Sequence, residues 1–340
     1  MTATNRQWRL ASYPEGMPSE ANWTLSDGPV PEPGQDEMLV RAIYLDVAPY
    51  MRGRISPQKN YAAGVSLGEV MIGGGIGEVV KSNAKPFKPG DIVVTDHGFG
   101  WQALSVLRPA AVRRVDRGLA PLPYWLDALG LNGMTAYFAL LQAGQMKPGD
   151  TVVVSAAAGS VGQIAGQIAT LGGARAVGIT SSPAKVASCL ETGYSEAIDY
   201  RAEPDLRAAV AKACPQGADV FIDNTGGPLH DAVMQNLATH ARVVIVGSIS
   251  LAGKFGQPDI GLRFQRQTLI ARATIRGFLV SDYPNQAEAR SRMGAWHQAG
   301  LLKSRFDIAK GIERMPEAFL RLLTSRNLGK QLVQVGDEPA

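Results

Sequence analysis

Apolar and polar positions change rhythm once along this chain, and the change divides it. Up to residue 126 the apolar residues come in short alternating runs, among them Glu37–Ala42, Gly77–Lys81 and Asp91–Thr95. A period of two marks half-buried strands. Turn-rich stretches such as Pro31-Glu-Pro-Gly34 separate them, with no helical pattern between, so residues 1–126 predict a separate β-rich domain. From Thr151 the pattern becomes apolar runs followed by helical faces. Thr151–Ser155 is a β-branched run suited to a buried parallel strand, and Val161, Ile164, Ala165, Ile168 and Leu171 then share one helix face. Ala174–Thr180, Asp219–Asp223, Arg242–Val246 and Ala273–Val280 read as further strands of the same sheet. An apolar helical stretch between Trp125 and Gln145 joins the two regimes. Gln286–Leu302 reads as a helix with Ala, Met, Trp and Leu inside, and Gly329–Gly336 as a closing strand.

The junction at 155–162 carries the first candidate chemistry. A strand, the small residues Ala156, Ala157 and Ala158, then Gly159 and Gly162 opening a helix make an A-x-G-x-x-G turn in a βαβ unit. Small residues admit a pyrophosphate to the backbone, and the N–H groups at the helix start face its charge. The same residues also serve plain helix–strand packing, and it is the following strands that favour the dinucleotide. A site for the non-phosphorylated cofactor wants an acid at the end of the second strand. Here the chain reads Gly178-Ile-Thr-Ser-Ser-Pro-Ala-Lys185, with no acid before Glu191. Hydroxyls and a lysine suit a 2′-phosphate, which favours NADP; the other reading of Lys185 is a solvated lysine at a helix start. The cluster Gly73–Gly77 precedes a strand and opens no helix, so it reads as a tight turn or bulge rather than a phosphate loop.

The totals narrow the remaining classes. At 340 residues there is room for two domains, and 45% hydrophobic with 19% charged residues describes a globular chain. A net charge of +4, with no basic run interleaved with aromatics, gives no reason to expect nucleic acid. The uncharged stretch 151–174 switches from strand to helix period and is better explained by a nucleotide-binding unit than by a membrane span. The first ten residues lack the apolar centre of a signal peptide, so a cytoplasmic protein is expected. Cys189 and Cys214 are too few for a disulfide framework. They and the scattered His97, His230, His240 and His297 lack metal-ligand spacing, so no metal site is expected.

Seven motifs, in order and spanning nearly the whole chain, carry a family resemblance: Pro49-Tyr-Met-Arg-Gly53, Met71-Ile-Gly-Gly-Gly-Ile-Gly77, Gly133-Met-Thr-Ala-Tyr137, Ser155–Gly162, Asp223-Asn-Thr-Gly-Gly227, Gly277-Phe-Leu-Val-Ser-Asp282 and Asn327-Leu-Gly-Lys330. With them the sequence resembles the zinc-independent medium-chain dehydrogenase/reductase superfamily, in its prostaglandin reductase, alkenal double-bond reductase and curcumin reductase branch. The resemblance implies an α/β protein: a Rossmann doubly wound parallel sheet over 127–300, and a GroES-like β-rich catalytic domain over 1–126 completed by a return segment over 301–340. It implies NADP, with Gly159, Ser160, Val161 and Gly162 at the pyrophosphate and Lys185 and Tyr200 at the 2′-phosphate. Asn224 would contact the cofactor, or else serve with Asp223 as a turn residue capping a strand. Gly247, Ser248, Ile249 and Ser250, together with Phe278, Leu279 and Val280, would line the nicotinamide side, and Asn327 would reach in from the return segment.

The implied activity is reduction of the carbon–carbon double bond of α,β-unsaturated ketones or aldehydes, by hydride transfer from NADPH to the β-carbon without metal. Tyr50 is the candidate proton donor, or alternatively a structural tyrosine. The alternative activities are NADPH-dependent quinone reduction and, further off, NADPH binding without turnover. Two positions depart from the family pattern: Ala48 stands where an aspartate is common, and Leu251-Ala252 where a tyrosine is common near the nicotinamide ribose. The expected partners are a small enone or alkenal and a second copy of the chain, with no nucleic acid and no membrane.

Overall fold

The computed structural model describes residues 4–58 and 60–339. The chain forms two compact units. The first holds the chain through Leu126, the short piece Gly253–Gly256, and everything from Phe306 on; the second holds Asp127–Ala252 and Gln257–Arg305. Leu301–Arg305 thus belongs with the second unit, five residues beyond the boundary expected at 300, because Gln163 and Gln167 of the second unit bond to the backbone of Lys303 and Arg305.

The first unit opens with β1 (Thr4–Leu10) paired antiparallel to β2 (Trp23–Pro29). There follow β3 (Met38–Asp46), the single turn α1 (Met51–Arg54), β4 (Gly75–Ser82), β5 (Ile92–Thr95), β6 (Leu104–Leu107) and β7 (Arg113–Arg114). β3 runs beyond the expected Glu37–Ala42 and is buried at all but one position, because both of its faces are covered. Opposite the glycine cluster, the β3–β4 register slips between Ala42 and Tyr44, which is a bulge on β3. A Cβ at Gly74 would sit 2.7 Å from the Asp96 carbonyl oxygen, and one at Gly75 the same distance from the Phe99 ring. Close backbone approach therefore explains these glycines.

The second unit starts with α2 (Leu131–Phe138), extended by a π turn over Ala139–Ala143, so the expected helix between Trp125 and Gln145 is a chain of short pieces. It continues with β8 (Thr151–Ser155), α3 (Ser160–Leu171), β9 (Arg175–Thr180), α4 (Pro183–Glu191), β10 (Glu196–Asp199) and α5 (Leu206–Ala213). Then come β11 (Ala218–Asp223), α6 (Gly227–Met234), β12 (Leu237–Ile245), α7 (Gln265–Ala271), β13 (Thr274–Gly277) and α8 (Gln286–Gln298). The strands form one parallel sheet in the order β10-β9-β8-β11-β12-β13. From β8 the chain winds outward to β10, then returns to lay β11 on the other side of β8. That reversal makes the carboxyl ends of β8 and β11 the switch point where such sheets bind ligands. Val152, Val153, Val154, Phe221, Ile222, Val243 and Val244 are fully buried, as parallel strands covered on both faces require.

The return piece contributes β14 (Phe306–Lys310), α9 (Met315–Leu323) and β15 (Lys330–Gln334) to the first unit. β15 pairs antiparallel with β3, placing the end of the chain inside the sheet ordered β14-β15-β3-β4-β5-β7, with β6 alongside β3. Trp23, Trp101 and Phe319 pack edge-on and tilted at 5.5–5.9 Å beneath it. Truncating Phe319, fully buried there, would cost about 3–5 kcal/mol. Among the described residues, no helix is long and apolar enough to cross a membrane.

Candidate functional site

The turn between β8 and α3 is tight because of its residues. Ala156 adopts a left-handed φ of 51°, and the Ala157 N–H bonds to the Ile179 carbonyl of β9 at 3.1 Å. A Cβ on Gly162 would meet Ala157 Cα at 2.7 Å, so only glycine lets the helix start this close to the turn. Gly159 is the N-cap, and Ser160, Val161 and Gly162 bring N–H groups that have no acceptor within the helix. Gly159, Ser160 and Val161, at the carboxyl-end crest of the sheet, are partly exposed, so N–H groups at this helix start could receive an anion. The Ser160 hydroxyl is engaged elsewhere: it donates to the buried Asp127 carboxylate, whose second oxygen accepts from Gln163 at 3.1 Å. The sequence reading missed Asp127, which lies 33 residues upstream and outside any motif.

At the end of β9, the Lys185 ammonium donates to the Ser181 hydroxyl at 3.2 Å, and Ser182 caps the helix that carries it. Tyr200 follows β10, and its N–H bonds to the Thr180 carbonyl at 3.0 Å. Lys185 and Tyr200 therefore stand at one corner of the crest. Arg201, also missed, lays its guanidinium 5.7 Å over the Tyr200 ring and adds a second cation there.

Between β8 and β11 the crest is knitted around Asp223. Its carboxylate accepts from the Ser155 hydroxyl, from the N–H groups of Thr225 and Gly226, and faces His230 Nδ1 at 2.8 Å. Burial pushes this carboxyl up, but His230 and the two N–H groups outweigh it and hold it below the usual range. Asn224 donates through Nδ2 to the Ser155 carbonyl at 2.7 Å. His230, expected to stand alone, lies in the first turn of α6, seven residues after Asp223 at the end of β11, and the loop between folds it back onto that carboxylate. Gly247 bonds through its N–H to the Asp223 carbonyl and lies where a Cβ would be 3.0 Å from the Asn224 oxygen. Ser248 closes a turn with Leu251, Ile249 opens a 3-10 turn, and Ser250 binds the Thr225 carbonyl through both its N–H and its hydroxyl. Phe278 bonds to the end of β12 through Ile245 and stacks on Tyr283 at 5.1 Å; Leu279 and Val280 follow, partly exposed.

Tyr50 and Asn327 belong to the first unit. Tyr50 opens α1, and its hydroxyl is buried with no partner among the described residues. Its ring meets His97 edge-on at 5.0 Å. Burial and, next, Asp46 push its phenol well above the usual range while Arg54 opposes them, so it holds its proton at neutral pH. Asn327 is buried, and its Nδ2 donates to the Gly329 carbonyl at 2.9 Å. Ala48 and Ala252, the two departures from the family pattern, are both buried.

Two family models match this chain: the N-terminal domain of oxidoreductase over residues 6–115 and zinc-binding dehydrogenase over residues 160–295. Among the described residues, no group of His, Cys, Asp or Glu could hold a metal ion. YfmJ of Bacillus subtilis (strain 168) is 42% identical over 340 residues, covering 99% of each chain. The NADPH-dependent curcumin reductase of Escherichia coli (strain K12) is 37% identical, covering 98% of each. The crystal structure of CurA from Vibrio vulnificus in complex with NADPH superposes with a TM-score of 0.91 at 37% identity, over 98% of this chain and 100% of that one. The fold and the crest thus define a dinucleotide-dependent oxidoreductase. The chain belongs to the medium-chain dehydrogenase/reductase superfamily, in the branch of the prostaglandin, alkenal and curcumin reductases.

Proposed function

We propose that this protein reduces the carbon–carbon double bond of α,β-unsaturated ketones and aldehydes with NADPH. The observation that carries the reading is the crest at the β8/β11 switch point. There a glycine-tight helix start lies beside a strand end that presents Lys185 on Ser181 in place of an acid. The residues fit NADPH: N–H groups of Ser160, Val161 and Gly162 for the pyrophosphate, Lys185 and Tyr200 for the 2′-phosphate, and Asn224, Gly247–Ser250 and Phe278–Val280 toward the nicotinamide. Bound there, the cofactor supplies a hydride. Asn224, tied to Ser155, and the 247–250 loop, tied to Asp223 and Thr225, hold their part of the cofactor site in one geometry. Phe278, backed by the Tyr283 and Phe138 rings, excludes water from its side of the site. Addition to the β-carbon leaves negative charge on the carbonyl oxygen, and Tyr50 returns the proton to the α-carbon.

We infer that the working form is a homodimer paired along β13, an edge strand exposed at all four positions. The buried, unpaired thiols Cys189 and Cys214, pushed up to about 12 and about 11 by burial, suit a reducing cytoplasm.

The deciding experiment follows loss of NADPH absorbance against an aliphatic alkenal, a cyclic enone, an aryl enone and a quinone, with NADH alongside. Preferential NADPH oxidation by an enone, with the saturated carbonyl as product, is expected. Turnover of the quinone alone, or bound NADPH with no turnover of any acceptor, would overturn the reading.

A further inference from the structure

Among the described residues, the charged groups around Tyr50 do not all pair off. Asp46, on β3, is paired with the buried Lys330 of β15. Asp96, after β5, is held by both guanidinium nitrogens of Arg113 on β7, at 2.6 and 3.0 Å. His97 is held below its usual proton affinity, mostly by burial and further by Arg54, against the opposing pull of Asp96 and Asp46. Arg54, the last residue of α1, is 7% exposed and has no carboxylate partner among the described residues. Its Nη1 donates to the Ala63 carbonyl at 3.2 Å, and its buried Nε finds no acceptor. The guanidinium lies 5.8 Å from the Tyr50 ring centre and 4.9 Å from that of Tyr61. Those two rings offer cation–π attraction but no counter-charge. A buried guanidinium without an anion is costly, so one that persists calls for an anion at some stage of function.

Resting on the enone-reductase reading, we propose that Arg54 is the waiting counter-charge for Tyr50, stabilising the phenolate that Tyr50 becomes when it protonates the substrate. The hydride from NADPH bonds to the β-carbon, and the π electrons move to the carbonyl oxygen. The enolate then takes the Tyr50 hydroxyl proton at its α-carbon, leaving a phenolate and NADP⁺, and a proton from water restores the phenol. The substrate gains one hydride and one proton. Deep burial alone would make that phenolate prohibitive; a fixed cation beside the ring makes it attainable. Arg54 is thus a positioning residue that acts through Tyr50.

The test is a double-mutant cycle on an enone that the wild-type protein turns over. Arg54→Gln should lower kcat by about ten- to a hundredfold, with NADPH affinity unchanged by fluorescence titration. The solvent deuterium isotope effect on kcat should rise as the proton step slows. Arg54→Lys, which keeps the charge, should recover most of the rate. In a Tyr50→Phe background, Arg54→Gln should cost almost nothing further. Thermal melting reports folding of each variant, and Arg54→Met, which keeps the stem between the rings, replaces the glutamine variant if that one unfolds. Equal losses in the two backgrounds, or no rescue by lysine, would overturn the role of Arg54 while leaving the enone reading intact. A wild-type protein that reduces no enone would remove both.

Discussion

Lys185 discriminates between two cofactors that differ by a single phosphate. Its ammonium donates to the Ser181 hydroxyl at 3.2 Å, at the strand end where an acid would repel a 2′-phosphate. A charge-assisted hydrogen bond contributes about 1.5–3 kcal/mol, or roughly a ten- to hundredfold change in affinity. Lys185→Ala should therefore weaken NADPH by that factor and leave NADH unchanged, measured by fluorescence titration of each. Equal effects on both would assign Lys185 to the helix surface instead. The position was legible in the sequence because everything that places it is local: strand end, Ser182 cap, first helical turn. Asp127 and Arg54 were not. Asp127 matters through Ser160 and Gln163, which reach it across more than thirty residues, and Arg54 through the absence of a carboxylate partner among the described residues, which no motif reports.

At the scale of the element, the β8–α3 turn and its glycines set how closely a helix can approach a phosphate. Gly159 and Gly162 look equivalent in the sequence and differ in space. A Cβ at Gly159 would have a single close neighbour, the Ala156 carbonyl oxygen at 3.1 Å, and its φ of −81° suits any residue. At Gly162 it would run into the backbone of both Ala156 and Ala157, which cannot swing away as a side chain can. Gly162→Ala should force α3 off the turn, destabilising the protein by about 1–3 kcal/mol and abolishing measurable NADPH binding, whereas Gly159→Ala should fold normally and bind more weakly. Thermal melting with cofactor titration checks both; a Gly162→Ala protein that binds NADPH normally would show that α3 can shift freely. The strands of this sheet were legible because each is a short β-branched run closed by turn residues. The β-rich unit was legible in kind but not in order. Nothing local in Lys330–Gln334 says that it inserts beside β3, nearly three hundred residues earlier in the chain. The alternation expected for β3 also gave way to near-complete burial, since what covers its second face comes from distant parts of the chain.

For the whole molecule the open question is what covers the far edge of the parallel sheet. β13 offers an unpaired edge with Ile275 exposed, and the preceding helix adds Leu269 and Ile270, at 76% and 64% exposure. Ile260 and Leu262, just before that helix, are exposed too. A strand edge flanked by aliphatic side chains is what isolated proteins avoid, with charges, prolines or bulges as the usual devices. Here Arg276 is the sole charge in the strand. A second copy related by a two-fold axis satisfies such an edge, since the same strand meets itself antiparallel and the sheet runs on across the interface. Burying an aliphatic side chain yields about 1.5–3 kcal/mol, so these residues together rival the roughly 4–15 kcal/mol lost in bringing two chains together. Light scattering on the eluting protein should then give twice the mass of one chain. Ile275→Asp combined with Leu269→Lys should give the mass of one chain, with NADPH binding retained, because neither residue lies at the carboxyl-end crest formed by β8, β9 and β11. A wild-type protein of single-chain mass, or a double variant that stays paired, would mean that this edge is covered in some other way.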